Sequence, residues 1–238
     1  VRCLAIIPAR GGSKRIPRKN VRQLHGRPLL AWTIETARTS GLFDEVMVST
    51  DDAEIAAVAR DAGAVVPFLR SAGTADDYAT TTDVLAEVLA AYAERGATPS
   101  LVCCLYPAAV LTTPAQLRAG HALLTGDETL DGVMAAQRYR HPIERAFHRA
   151  ADGTLRRADE TQAATRTQDL PVAWHDAGQF YWFRPAVLAA TGRLLGARIA
   201  PVPLAPWEAV DLDDEDDWAF LERLTATAAA LSLPESVA

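Results

Sequence analysis

Apolar positions recur along this chain in two rhythms that take turns. Apolar runs over 4–7, 64–68, 101–105 and 133–136, and the stretch 45–49 with its apolar centre, have the length of buried strands. Between them, 28–40 carries apolar positions at Leu29, Leu30, Ile34 and Ala37 and stops at Gly41, the spacing and ending of an amphipathic helix. Residues 52–62 close in the same way at Gly63, 80–95 opens on Thr80 or Thr81 as a cap, and Thr113-Pro114 starts a helix with proline at its first position. Strand and helix alternating in this manner predict a three-layer, Rossmann-like α/β fold. Its sheet is mostly parallel, helices cover both faces, and ligands bind at the carboxyl ends of the strands. Arg10, Thr50, Arg70 and Tyr106 all fall just after such ends.

The rhythm breaks over 138–175, a stretch of arginine, histidine, threonine and glutamine without long apolar periodicity, which reads as an excursion from the sheet. Strands resume at 179–183 and 197–202, and a helix follows over 214–231. A chain of 238 residues suits one domain, 1–238, with that excursion inside it. Mean hydropathy is near zero and no apolar run approaches the roughly 18 residues of a membrane span, so a soluble protein with no membrane partner is expected. No charged segment followed by a hydrophobic core opens the chain, from which a cytoplasmic location is expected. Cys3, Cys103 and Cys104 sit in apolar runs with neither C-x-x-C nor paired histidines, and read as core packing. The tryptophans, Trp174 and Trp182 among them, read as packing residues too.

Charge changes this picture in one place. The first thirty-four residues hold eight arginines and lysines and no acid, in a chain of formal charge −6. The only two lysines, Lys14 and Lys19, lie together in the loop after the first strand, beside Gly11 and Gly12. Ammonium and guanidinium groups at a strand-to-helix loop suit a polyphosphate, and two glycines allow backbone N–H groups to turn inward around an anion. Neither G-x-x-x-x-G-K-[ST] nor G-x-G-x-x-G is present, which counts against P-loop ATPases and dinucleotide oxidoreductases. The rest of the chain has an excess of acids, which counts against a nucleic-acid partner.

Acids crowd the last strand-to-helix junction, at Asp211 and from Asp213 to Asp217. Asp214 to Asp217 suit the start of a helix, where carboxylates cap free N–H groups. Asp211 and Asp213, on one face of an extended Asp-Leu-Asp, have the spacing for a hard cation such as Mg²⁺, which takes one or two carboxylates together with phosphates and water.

The run Ile7-Pro8-Ala9-Arg10-Gly11-Gly12-Ser13-Lys14-Arg15-Ile16-Pro17-Arg18-Lys19-Asn20 resembles the signature loop of the sugar-acid cytidylyltransferases, which make CMP-activated nonulosonic acids. The likeness continues through Val48-Ser49-Thr50-Asp51-Asp52, Pro67-Phe68-Leu69-Arg70-Ser71, Tyr106-Pro107, His175-Asp176-Ala177-Gly178-Gln179-Phe180 and Asp211-Leu212-Asp213. It implies the nucleotidyltransferase version of the fold, with the excursion used to form a homodimer. It implies Mg²⁺ as cofactor, CTP as co-substrate and a nine-carbon sugar acid as acceptor. Arg10, Lys19, Asp211 and Asp213 become the catalytic set, the two aspartates holding the metal. Ala9, Arg10, Gly11, Gly12, Ser13, Lys14, Lys19, Asn20, Arg70, Thr80 and Thr82 become the nucleotide-binding set, and Tyr106, Arg166, Gln168, His175 and Gln179 the sugar-binding set.

In sialic acid members a run such as Gln-Pro-Thr-Ser-Pro-Leu-Arg stands where this chain has Tyr106-Pro107-Ala108-Ala109-Val110-Leu111. Losing the amide and the arginine removes donors, which favours a deoxygenated sugar such as pseudaminic acid over N-acetylneuraminic or legionaminic acid. A Kdo synthetase and a non-catalytic nucleotide-binding module of the same fold are the competing readings. No side chain declares itself as general base, and His175 and Asp176, adjacent in an extended run, point to opposite faces.

Overall fold

The computed structural model describes residues 2–75 and 79–231. β1 (Cys3–Pro8) leads through the basic loop to a small hairpin, β2 (Gln23–Leu24) and β3 (Arg27–Pro28), and then to α1 (Leu29–Thr39). β4 (Glu45–Ser49), α2 (Ala53–Asp61), α3 (Ala72–Ala75), α4 (Thr81–Glu94), β5 (Leu101–Leu105), α5 (Pro114–Gly126) and β6 (Gly132–Arg138) follow. A second hairpin, β7 (Phe147–Arg149) with β8 (Leu155–Arg157), precedes β9 (Trp174–Phe183), α6 (Pro185–Thr191), β10 (Ile199–Leu204) and α7 (Glu215–Leu231).

Six strands form one sheet in the order β10-β6-β9-β5-β1-β4. β1 runs parallel to β4 and β5, β10 runs parallel to β6, and β9 alone is antiparallel to its neighbours β5 and β6. The mostly parallel sheet expected from the sequence is therefore present, with helices packed around it. β1 feeds β4 on one side and has β5 on the other, so chain order reverses at β1. The cleft outside the carboxyl ends of β1 and β5 is where such sheets bind ligands.

Alternation along β1 sends Ala5 and Ile7 to one face and Leu4 and Ile6 to the other. The first face packs with Ile34, Val48, Phe180 and Trp182, the second with Leu85, Val88, Tyr92 and Tyr181. All three cysteines are buried and unpaired in these layers. Trp182 stacks on Phe43 with centroids 5.2 Å apart, as a packing residue would, but Trp174 is 44 % exposed on the excursion and departs from that expectation. Trp174 opens β9, where it pairs with Arg138 at the far end of β6.

Two other details differ from the sequence reading. The run 64–68 makes only one bridge to the sheet, Met47 to Val65, because Pro67 cannot donate to a ladder. β9 starts at Trp174 rather than at 179 and pairs with the far end of β6. The excursion is thus the long connection of an antiparallel pair, and 139–173 carries the β7–β8 hairpin at its tip.

Candidate active site

A third apolar cluster lies outside the sheet, beneath the basic loop. It joins Ile16 of that loop, Leu24 and Leu29 of the hairpin and first helix, Val210 and Leu212 of the segment before α7, and Trp218 and Leu221 of α7. Leu212 is fully buried there, so the two aspartates flanking it turn the other way, into a cavity of about 630 Å³. Arg22 clamps the same junction, with its guanidinium over the Trp218 ring at 4.1 Å and a bond to Glu215 at 2.8 Å. Two segments almost two hundred residues apart thus become the two lips of one site.

The cavity sits at the carboxyl ends of β1 and β5, and Arg10, Ser13, Lys14, Lys19 and Asn20 line one side, with Asp211 and Asp213 facing them. Lys19 donates to the Leu212 carbonyl at 2.6 Å, which holds its ammonium between the two carboxylates. Burial pushes the Lys19 ammonium below its ordinary range, against the pull of Asp213 and Asp211. Burial likewise pushes the Asp211 carboxyl up, reinforced by Asp213 and opposed by Lys19. Asp213 pairs with Arg15 at 2.6 Å. Its backbone N–H donates to Asp217 at 2.8 Å, and the Asp216 and Asp217 N–H groups donate to Asp214, so the later acids cap α7 as expected. Asn20 is 5 % exposed; its amide donates to the Arg10 carbonyl at 2.9 Å, while its Oδ1 is buried without a partner.

Gly11 serves differently from the inward-turned anion cradle expected of it. The Gly11 N–H donates to Asp51 at 3.0 Å, and a Cβ on Gly11 would stand 2.7 Å from the Asp52 carboxylate. Close approach to Asp52, rather than a left-handed backbone, is what Gly11 permits. Asp52 caps α2 and pairs with Arg18 at 2.5 Å, tying the loop to that helix, and Arg18 holds the Asp52 carboxyl down at about 2. Ala9 is buried and donates to the Ser49 carbonyl at 2.9 Å, outside the cavity wall.

Arg70 reaches the cavity from the far side, 9 % exposed. Its guanidinium is aimed by the Ser49 hydroxyl at 3.2 Å, the Ser49 carbonyl at 2.8 Å and the Thr74 carbonyl at 3.4 Å. Burial lowers its pKa. Of the threonine cluster, Thr80 forms a capping box with Asp83 and Thr82 lies off the lining, while Thr81, which the sequence reading offers as a cap, faces in. Thr81 Oγ1 is 3.0 Å from the hydroxyl of Tyr106, which lines the cavity with Pro107, Ala108 and Gly178. Gly178 has φ +62° and stands beside Asp211, a position a side chain would strain.

The remaining sugar-site candidates lie elsewhere. Gln179 is 1 % exposed behind the wall, donating to the Ala177 carbonyl at 3.0 Å and the Val210 carbonyl at 3.5 Å, with its own Oε1 unpartnered. It ties the Gly178 turn to the segment that carries Asp211. His175 packs against Tyr139, centroids 4.8 Å apart, away from the cavity. Arg166 and Gln168 are on the excursion, where Arg166 pairs with Asp169 at 2.7 Å. Arg15, passed over in the sequence reading, was signalled only by its place next to Lys14.

The family model described as Cytidylyltransferase matches residues 4–193. A pseudaminic acid cytidylyltransferase from Campylobacter jejuni is 41 % identical over 179 residues, covering 75 % of this chain and 77 % of the relative. A CMP-N,N′-diacetyllegionaminic acid synthase from Legionella pneumophila is 31 % identical over 94 % of this chain and 96 % of its own. Among solved structures, a CMP:2-keto-3-deoxy-manno-octonic acid synthetase complexed with CTP superposes with a TM-score of 0.71 at 17 % identity, covering 95 % of this chain and 99 % of the other.

Proposed function

The chain belongs to the cytidylyltransferase family, and from that premise we propose that it joins CTP to a nonulosonic acid, pseudaminic acid before others, giving the CMP-sugar and pyrophosphate. One observation carries the reading. A single cavity at the sheet's switch point is lined by Arg10, Lys14, Arg15, Lys19 and Arg70 and by two carboxylates, Asp211 and Asp213, with a neutral wall at Tyr106. Cations at that density suit a triphosphate, and the neutral wall leaves room for a sugar.

The sugar's anomeric oxygen attacks the α-phosphorus, forming one P–O bond while the bond to the bridging oxygen breaks, and pyrophosphate leaves with that electron pair. The hydroxyl proton leaves to solvent, since Asp211 and Asp213, the only acids lining the cavity among the described residues, are the carboxylates placed to hold a cation. Lys19, fixed by the Leu212 carbonyl, and Arg70, fixed by Ser49, are aimed before substrate arrives, so they cost little reorganisation as charge builds. No cluster of three or more metal-ligating side chains occurs among the described residues. That donor set fits Mg²⁺, which completes its shell with phosphate and water rather than with a protein cage. Asp211 and Asp213 would hold the ion, which supplies neutralisation of the phosphate charge when bound.

A homodimer belongs to the same proposal. Ile143, Phe147, Leu155, Val172 and Trp174 leave apolar surface exposed on and around the excursion, and covering it would bring Arg166 and Gln168 near a second subunit. Sedimentation tests the assembly, with a monomer as the contrary result. No helix among the described residues is long and apolar enough to cross a membrane.

Pyrophosphate release from CTP with a panel of sugar acids tests the activity. Pseudaminic acid is expected to be used at least about tenfold better than N-acetylneuraminic acid, a ratio that one unpaired buried hydroxyl supplies. Preference for N-acetylneuraminic acid contradicts the specificity, and no pyrophosphate with any acid contradicts the activity.

A further inference from the structure

Arg70 is held from two directions that differ in rigidity. Its Nε and Nη2 donate to the hydroxyl and the carbonyl of Ser49, the last residue of β4 in the sheet. Its Nη1 donates to the Thr74 carbonyl at 3.4 Å, and Thr74 belongs to α3. That helix has four residues and none of them is buried, so neither its length nor an apolar face keeps it in place.

Glu87 of α4 reaches across to it. Oε1 accepts from the Ser71 N–H at 2.8 Å, and Oε2 accepts from the Thr74 hydroxyl. Two donors converging on one group, one for each oxygen, match an acceptor-only carboxylate. Glu87 also stands on firmer ground than the segment it holds. α4 buries Val84, Leu85 and Val88 and is closed at its start by the box of Thr80 and Asp83. The rigidity of a packed helix is thereby carried to a short one without a core. Of the five N–H groups of a guanidinium, Ser49 and Thr74 engage three on Arg70, which leaves one on each terminal nitrogen for the cavity that Arg70 lines.

We propose that Glu87 is a positioning residue for the nucleotide: by anchoring α3 it keeps the Thr74 carbonyl on Arg70, and so presents the two remaining N–H groups of Arg70 to CTP. The inference deepens the CTP reading above and rests on Arg70 binding the nucleotide. Glu87 acts through Thr74 and Arg70, since it contributes nothing to the cavity wall among the described residues. The strength at stake is that of a guanidinium aimed at a polar acceptor, which falls steeply as its angle degrades.

The test is a double-variant cycle read by isothermal titration of CTP, without sugar. Arg70→Ala is expected to weaken CTP binding by about fiftyfold and Glu87→Ala by about fivefold. Glu87→Ala combined with Arg70→Ala is expected to bind as Arg70→Ala alone does, because nothing is then left to aim. A Glu87 that merely supports the fold costs the combined variant the same fivefold again, and that result overturns the proposal, as does wild-type affinity in Glu87→Ala. Glu87→Gln can still accept from the Ser71 N–H and donate to the Thr74 oxygen, so its affinity is expected within about twofold of the wild type. An affinity as low as that of Glu87→Ala overturns the anchoring role. If Glu87→Ala fails to fold, Thr74→Val carries the same cycle, with a loss of about threefold alone and none on top of Arg70→Ala. A loss in both backgrounds, or in neither, overturns the proposal. Wild-type affinity in Arg70→Ala removes Arg70 from the nucleotide site and ends the inference, leaving the rest of the CTP reading in place; a wild type that binds no CTP ends both.

Discussion

The two sides of the cavity are built on opposite terms. On the loop side, charges of both signs are held apart at short range by one another and by backbone, with Lys19 on the Leu212 carbonyl, Arg15 on Asp213, and Arg18 on Asp52. On the Tyr106 side, the lining is neutral, and the Tyr106 and Thr81 hydroxyls, 3.0 Å apart, stand beside a proline and two small residues. The difference teaches a division of labour. Strong, salt-sensitive contacts suit a triphosphate whose charge is constant, and neutral contacts suit discrimination among sugars that differ by a hydroxyl or an amide.

Breaking the charged side should have the largest effect. Lys19→Ala and Asp211→Asn are each expected to lower kcat/KM for CTP by about a hundredfold or more while the protein stays folded, read by pyrophosphate release together with circular dichroism. If either keeps its rate, that residue leaves the phosphate site. Asp216→Asn serves as control, since its side chain stands at the start of α7 and the loss expected is one of stability alone.

Breaking the neutral side should cost less and fall on the other substrate. Tyr106→Phe is expected to reduce kcat/KM for the sugar acid by about tenfold, the worth of one hydrogen bond in a closed site, with the KM for CTP unmoved. An effect on CTP instead would erase the division between the sides.

Thr80 and Thr81 sharpen it further. Thr80→Ala removes the α4 cap and should cost about 1 kcal/mol in denaturant unfolding without a kinetic effect, whereas Thr81→Val should spare stability and raise the KM for the sugar acid. A kinetic effect at Thr80 would contradict the assignment.

The smallest effect is in acid. Arg18 is the first cause of the low Asp52 pKa, about 2 in the folded chain against an ordinary 3.8. A carboxyl lower in the folded than in the unfolded state stabilises fully above the unfolded value, and that contribution disappears as pH falls through 3.8 towards 2. Arg18→Ala should therefore unfold with less pH dependence in that window, measured by acid titration of the circular dichroism signal. The same slope in both proteins would mean the ion pair does not anchor the loop.

How much of this was legible follows the same division. Charge announces itself in composition, so Lys14, Lys19, Asp211 and Asp213 were readable from their types and clustering, and structure was needed only to bring them across nearly two hundred residues. The apolar runs likewise carried the sheet, because period and length encode burial. The neutral wall was harder. Thr80-Thr81-Thr82-Asp83 contains a readable S/T-x-x-D/E box, which commits Thr80 to the helix and leaves Thr81 for the cavity, but the reading named the residues on either side of it. Gln179 was named for contact with sugar and lies behind the wall, since its place depends on the Val210 carbonyl, thirty-one residues on in the chain.

The most direct test of the divided cavity is isothermal titration of CTP, with no sugar present, into the wild type, Lys19→Ala and Tyr106→Phe. Lys19→Ala is predicted to weaken binding by at least about tenfold, the worth of a charge-assisted contact, while Tyr106→Phe binds CTP as the wild type does. Equal affinities for the wild type and Lys19→Ala, or a loss confined to Tyr106→Phe, would contradict it.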